Sequence, residues 1–313
     1  MVNMEELQKK FKTLYSEVEK VVVGQQEIIE QAIAAILCNG HVYVEGYPGL
    51  AKTTIVKTLA NVMDLSFSRI QGTPDLLPSD ITGNYIIDES KGKKEFKFQP
   101  GPIFANVVLV DEVNRATPKT HSAILEAMQE KQVTVGSSTY KLEEPFFVLA
   151  TGNPIEQEGT FKMSEAQVDR FLFKLNIKYP KLDEELKIVD RFSESTFDEL
   201  KVRKLFTATE LVNLQKTVKQ IPIANDIKKY AVELVASTRS KKDLIEYGAS
   251  PRASIALVMA GKARALMNGR KYVSKEDIQA MAYPVLRHRI ILSFEAERQN
   301  MSEDDVIKNL MKK

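Results

Sequence analysis

Nine consecutive residues, Gly46-Tyr47-Pro48-Gly49-Leu50-Ala51-Lys52-Thr53-Thr54, place two glycines, a lysine and two threonines in one short stretch. They follow an apolar run at 41–45 and lead into a helical pattern. The spacing is close to GxxxxGK[ST], the phosphate-loop or Walker A pattern. In such a loop, backbone N–H groups and the helix start face phosphate oxygens, and the helix dipole favours their negative charge. Lys52 reaches the terminal phosphates, and the Thr53 hydroxyl can hold magnesium. Ala51 stands where the pattern has its second glycine; it is tolerable if its backbone is helical and not at positive φ. The competing reading is a chance glycine turn before a helix.

A second group argues against chance. Val107-Val-Leu-Val-Asp111-Glu112 is an apolar run that ends in two acids, the Walker B form. Buried strands of open α/β sheets meet their ligands at their carboxyl ends. Asp111 can hold magnesium through water, and Glu112 can take the proton from the attacking water. Alone, the two acids could cap a following helix. Together with the phosphate loop they point to binding and hydrolysis of ATP or GTP.

Three further polar residues could complete such a site. Asn153, in Thr151-Gly-Asn153-Pro154, would lie beside the hydrolytic water if the run at 146–150 is a strand between the other two; Asn-Pro also marks ordinary turns. Arg170, in Glu165-Ala-Gln-Val-Asp169-Arg170-Phe171, closes a helical stretch before a strand, a common place for a surface ion pair. Arg252 follows Ser250 and Pro251, which explain a helix start but not an arginine.

These groups need a frame. Apolar runs at 41–45, 66–70, 107–110, 146–150 and 171–177 read as buried strands, and 52–63, 118–129 and 164–170 as helices. The alternation predicts an α/β fold with a parallel sheet covered by helices on both faces. Residues 73–102, rich in Pro, Gly and Asp, are too long for a simple connection and predict an inserted helix or hairpin. Residues 131–143 predict a β-hairpin turning at 136–138. Beyond about residue 192 helical patterns take over, at 209–219, 224–240, 250–268, 274–282 and 302–311, with capping boxes at Ser274 and Ser302. Two domains are expected: an α/β ATPase core at 1–195 and a small all-helical bundle at 196–313.

The composition fits a chain of 313 residues with 43% hydrophobic residues and a packed core. A net charge of +2 gives no reason to expect broad binding to nucleic acid. The single cysteine, Cys38, forms no internal disulfide and reads as a small buried hydrophobe. Three histidines, His41, His121 and His288, lie far apart, which speaks against structural zinc. His121 reads as a solvated helix position, and Arg287-His288-Arg289 as an exposed or inter-subunit face. No segment has the apolar length of a membrane span, and no signal core opens the chain, so a cytoplasmic protein is expected.

The sequence resembles the MoxR family of the AAA+ superfamily, in the clade with a helix-2 insert. The resemblance rests on GYPGLAKT at 46–53, VLVDEVNRA at 108–116, ATGNPIEQEGT at 150–160, EAQVDRF at 165–171 and SPRA at 250–253. It implies an ATPase, a hydrolase acting on the β–γ bond of ATP with Mg2+. It assigns Asn153 to sensor 1, Arg170 to an arginine finger reaching the neighbouring subunit's ATP, and Arg252 to sensor 2. Val23-Gly24-Gln25 resembles the segment against adenine. Residues 73–102 match the helix-2 insert and 131–143 the pre-sensor 1 hairpin, and the resemblance makes the bundle at 196–313 a lid domain. Alanine at position 51 is usual in the family; Gly152 and Met163-Ser164 depart from its more frequent Gln and Leu-Pro. The resemblance further implies a hexameric ring with chaperone-like action on client complexes, often with a VWA-domain partner. In the insert, Tyr85, Ile86, Ile87, Phe96 and Phe98 either form a client patch or pack on their own core. Two alternatives are a nucleic-acid motor or loader, for which Glu143 and Glu144 are poorly placed, and a non-hydrolysing nucleotide switch.

Overall fold

The computed structural model describes residues 3–47, 49–88, 94–153, 161–194 and 200–312. The expected phosphate-loop residue Pro48, the 154–160 part of the motif at 150–160 and the 195/196 domain boundary lie outside the described residues.

The chain opens with α1 (Met4–Glu19) and α2 (Gln26–Leu37), then β1 (Val42–Glu45), α3 (Lys52–Val62) and β2 (Phe67–Gln71). Next come α4 (Pro78–Thr82), β3 (Gly83–Asp88), β4 (Glu95–Pro100), β5 (Val107–Asp111) and α5 (Pro118–Glu130). Then follow β6 (Gln132–Val135), β7 (Ser138–Lys141), β8 (Phe147–Gly152), α6 (Glu165–Val168), β9 (Phe173–Asn176) and α7 (Leu182–Glu194). The C-terminal part holds α8 (Ala208–Gln220), α9 (Asn225–Ser240), β10 (Ile245–Tyr247), α10 (Pro251–Met267) and α11 (Lys275–Leu286). It ends with β11 (Ile291–Leu292), α12 (Phe294–Arg298) and α13 (Glu303–Met311).

Five strands form a parallel sheet in the order β2-β5-β8-β1-β9. Side chains alternate between its faces, as the strand period requires. Val42, Val44, Val107, Leu109, Phe147, Leu149, Phe173 and Leu175 join one core cluster with α1, α2, α3 and the C-terminal helices. Ile70, Val108, Val110, Val148 and Ala150 join the other, with α5 and the β6–β7 hairpin. Burial on both faces explains why the interior strands β5 and β8 read as near-continuous apolar runs.

The two N-terminal helices, which the sequence pattern did not single out, wedge between sheet and lid. α1 buries Leu7, Phe11, Leu14 and Val18, one helical stripe, and its Asn3 cap accepts the Glu5 and Glu6 N–H groups. α2 is buried almost throughout. The lid helices are joined by a two-stranded β10–β11 ribbon, too short to leave a periodic signal. Arg264 of α10 ties Glu30 of α2 to the lid's buried Asp277.

The insert contains both a short helix and a hairpin, β3–β4. It leans on the second hairpin through aromatic contact: Phe98 stacks on Tyr140 at 4.0 Å between ring centres. The Tyr85 and Tyr140 hydroxyls meet at 2.8 Å. Ile87 and Phe96, cross-strand partners, remain 55% and 78% exposed. The insert thus divides between the two readings: Tyr85 and Phe98 pack, while Ile86, Ile87 and Phe96 face out.

Candidate active site

The phosphate loop leaves the C-terminal end of β1 and enters α3. Gly49 takes φ +83° and Ala51 φ +54°, so two left-handed residues curl the loop before the helix starts. The condition set for Ala51 is therefore not met; its backbone is left-handed, at on the order of 1–2 kcal/mol for a non-glycine residue. Loop curvature, not local preference, decides the conformation. Lys52 donates to the carbonyls of Gly46 (2.6 Å) and Tyr47 (3.3 Å), spanning the loop. Burial lowers its pKa, opposed by the charges of Asp111 and Glu112.

A cavity of about 400 Å³ joins Gly49, Leu50, Ala51, Lys52, Thr53 and Thr54 to Asp111, Glu112 and Asn153, with Arg69 and Thr151. The sheet order explains the convergence. β8 pairs with β1 on one side and β5 on the other, so Asn153 emerges between the phosphate loop and the two acids. Thr53 and Asp111 offer a hydroxyl and a carboxylate to the same cavity. Such hard oxygen donors suit Mg2+, which uses one or two protein ligands plus phosphate oxygens. The described residues contain no larger cluster of metal-ligating side chains.

Four residues the motif reading passed over hold the acids. Thr151 Oγ1 donates to Asp111 Oδ1 (2.6 Å) and accepts the Glu112 N–H (2.9 Å). Arg69 donates to Asp111 Oδ2 (2.6 Å), and Gln71 to Glu112 Oε2 (3.2 Å). Arg115 reaches the same Glu112 oxygen at 2.9 Å. Their signal is the polar pair Arg69 and Gln71, two apart at the end of β2, beside the strand that carries Asp111.

Gly24 and Gln25 both adopt positive φ between α1 and α2. Gln25 donates to the Lys178 carbonyl at 2.8 Å. Next to Lys178, Tyr179 stacks on Tyr47 of the phosphate loop, ring centres 5.5 Å apart. Gln25, which follows Val23 and Gly24, thus touches the segment that also meets that loop.

Two arginines stand elsewhere. Arg170 is exposed, and Arg252 lies 3.5 Å from Asp169 Oδ2. Together they line a different hollow, with Arg289, Cys38 and Ile255, and neither lines the phosphate cavity. The exposed face expected at 287–289 is a correction: Arg287 is 9% exposed, and the Arg289 side chain 4%. Arg287 pairs with Asp304, and His288 donates to the Phe171 carbonyl at 3.0 Å. Main-chain carbonyls and carboxylates absorb their N–H groups, which lets charged residues go inside. His121 is likewise buried, its ring bonded to the Val113 carbonyl at 2.7 Å, and is not solvated. Cys38 is only half-buried as a residue, and burial pushes its thiol up to about 12.

Residues 41–173 match the family described as ATPase family associated with various cellular activities (AAA), and residues 237–310 match the AAA lid domain. Chaperone MoxR1 of Mycobacterium tuberculosis is 40% identical over 303 residues, covering 94% of this chain and 79% of that protein. Protein YeaC of Bacillus subtilis, itself uncharacterized, is 43% identical over 94% of this chain and 91% of its own length. A crystal structure from Cytophaga hutchinsonii, described as a candidate ATPase, superposes with a TM-score of 0.92 at 44% identity, covering 99% of this chain and 96% of that one.

Proposed function

The chain belongs to the MoxR family of AAA+ ATPases, and from that premise we propose that it binds and hydrolyses ATP with Mg2+ at sites shared between the subunits of a ring. The ring is hexameric by family resemblance. The core spans 1–195 and the lid 196–313.

One observation carries this reading. A single cavity collects Lys52, Thr53, Asp111, Glu112 and Asn153, while Arg170 and Arg252 sit together outside it. The first set binds nucleotide and handles water. Lys52 and the loop N–H groups neutralise the phosphates, Asn153 orients the water, and Glu112 accepts its proton. Thr53 and Asp111 would hold the magnesium, which supplies charge neutralisation on the transferring phosphate. Glu112 must first leave Arg115 and Gln71, which occupy its Oε2. The second set suits donation in trans: Arg170 and Arg252 reach the ATP of the next subunit, where such an arginine can raise the rate about 10³–10⁵-fold. Val23, Gly24 and Gln25 lie against the base.

The energy serves chaperone-like remodelling or activation of partner complexes in the cytoplasm, together with a VWA-domain protein. Ile87 and Phe96 on the insert are the client contact. Among the described residues no helix is long and apolar enough to cross a membrane. A nucleic-acid motor is the weaker reading, since hairpin residue Lys131 pairs with Glu144 at 3.1 Å.

The test is phosphate release with and without magnesium, for wild type and Glu112→Gln. Magnesium-dependent turnover that Glu112→Gln lowers at least about 100-fold, with ATP binding retained, supports the proposal. Turnover that survives Glu112→Gln would sink it.

A further inference from the structure

The segment that carries Arg170 is held by the lid. Arg289, just past the end of α11, directs its guanidinium into the turn between α6 and β9. Nε donates to Asp169 Oδ1 at 2.7 Å. Nη2 donates to the carbonyls of Asp169 (3.1 Å) and Phe171 (2.6 Å). Nη1 donates to the carbonyls of Leu172 (3.0 Å) and Val285 (2.6 Å). A guanidinium has five N–H groups, and all five are committed. Four of them fall on residues 169, 171 and 172, on both sides of Arg170. The second Asp169 oxygen faces Arg252 at 3.5 Å. His288 adds a bond to the Phe171 carbonyl, at 3.0 Å.

A buried cation that makes this many bonds to main-chain carbonyls is an expensive way to join two parts of a chain; apolar packing would serve stability as well or better. What the arrangement supplies is direction. A planar fork with every donor engaged permits one orientation of the turn relative to the lid. The Arg170 backbone follows any lid rotation, and Arg252, itself on lid helix α10, adds a second tie to the same turn through Asp169.

We propose that Arg289 is a positioning residue for catalysis in trans: it locks the Arg170 turn to the lid, so that lid orientation in one subunit aims Arg170 and Arg252 into the next subunit's site. The proposal rests on trans donation by Arg170, and mixing experiments separate the two ideas. Arg289→Met keeps an unbranched side chain and removes all five donors. Asp169→Asn keeps size and removes the shared charge, so the result does not depend on one variant folding. In mixed rings, Glu112→Gln subunits bring an intact Arg170 but a dead site.

Arg289→Met and Asp169→Asn alone should lose at least about ten-fold in kcat while their nucleotide Kd changes less than about three-fold. Mixed with Glu112→Gln, each should regain turnover, as Arg170→Ala does. Mixed with Arg170→Ala, neither should. Recovery with Arg170→Ala would place Arg289 with the residues that serve their own subunit's site and overturn the proposal. So would wild-type kcat in both variants. If Arg170→Ala itself fails to recover with Glu112→Gln, the trans reading falls first.

Discussion

Thr151 and Asp111 are joined by a 2.6 Å hydrogen bond from the threonine Oγ1 to Asp111 Oδ1, and the Thr151 Oγ1 in turn accepts the Glu112 N–H at 2.9 Å. One hydroxyl therefore sets both acids of the candidate site. It does so from β8, the strand that also delivers Asn153, so the acid pair and the Asn153 amide share one rigid support.

Thr151→Val keeps the shape and removes the hydroxyl. A hydrogen bond to a carboxylate contributes roughly 1.5–3 kcal/mol, which converts to about 10–100-fold in rate if it is needed at the transition state. The expected result is a fall of that size in kcat with nucleotide affinity little changed, and near-normal rates for Thr151→Ser. Equal rates for wild type and Thr151→Val would remove Thr151 from the site.

Gly152 is the next residue, and it faces a wall: a Cβ there would lie 2.0 Å from the Tyr43 hydroxyl. A longer side chain there would meet the same tyrosine. Gly152→Ala should destabilise the fold by about 1–3 kcal/mol through overpacking. Tyr43→Phe in the same chain should recover part of the loss, a non-additivity expected of residues in contact. Chemical denaturation of both single variants and the double variant measures it; strictly additive losses would contradict the contact.

Acid should weaken the fold through its histidines. His41 Nδ1 accepts the Val148 N–H at 3.0 Å, and its other nitrogen bonds the Met128 carbonyl at 2.9 Å. A proton on Nδ1 would face a donor, and burial lowers the His41 pKa from 6.5 to about 4. The unfolded chain thus binds more protons between those values. Stability from neutral His41 is complete above about pH 6.5 and is lost as pH falls toward 4, up to about 3 kcal/mol. His121 and His288 shift in the same direction, both chiefly by burial. Unfolding midpoints should fall between pH 7 and 5, with a smaller fall for His41→Gln. A flat profile across that range would contradict the buried neutral ring.

How much of this was legible depended on distance along the chain. The phosphate loop and the Asp111-Glu112 pair are local patterns, and each lies where its strand ends. β5 and β8 were readable because burial on both faces leaves apolar runs, while β1 and β9 show alternating burial and β2 buries only Ile70. Arg69, Gln71 and Thr151 gave little signal, because their partners sit about 40 residues away and meet them only through strand order. Arg287-His288-Arg289 misled for the opposite reason. Local charge suggested a solvated face, but carbonyls of the α6–β9 turn, more than 110 residues earlier, satisfy His288 and Arg289 inside, and Asp304 pairs with Arg287. Ala51 took the left-handed conformation that its residue type disfavours, because the loop must turn there.

The most direct measurement is ATP turnover against protein concentration, for wild type and for a mixture of Lys52→Ala with Arg170→Ala. Arg170 and Lys52 line separate hollows of one chain, so sites built between subunits predict two nearly dead variants that regain activity when mixed, and a wild-type rate per subunit that rises with concentration. No recovery on mixing, with a wild-type rate independent of dilution, would mean that one chain holds the whole site and would contradict the shared mechanism.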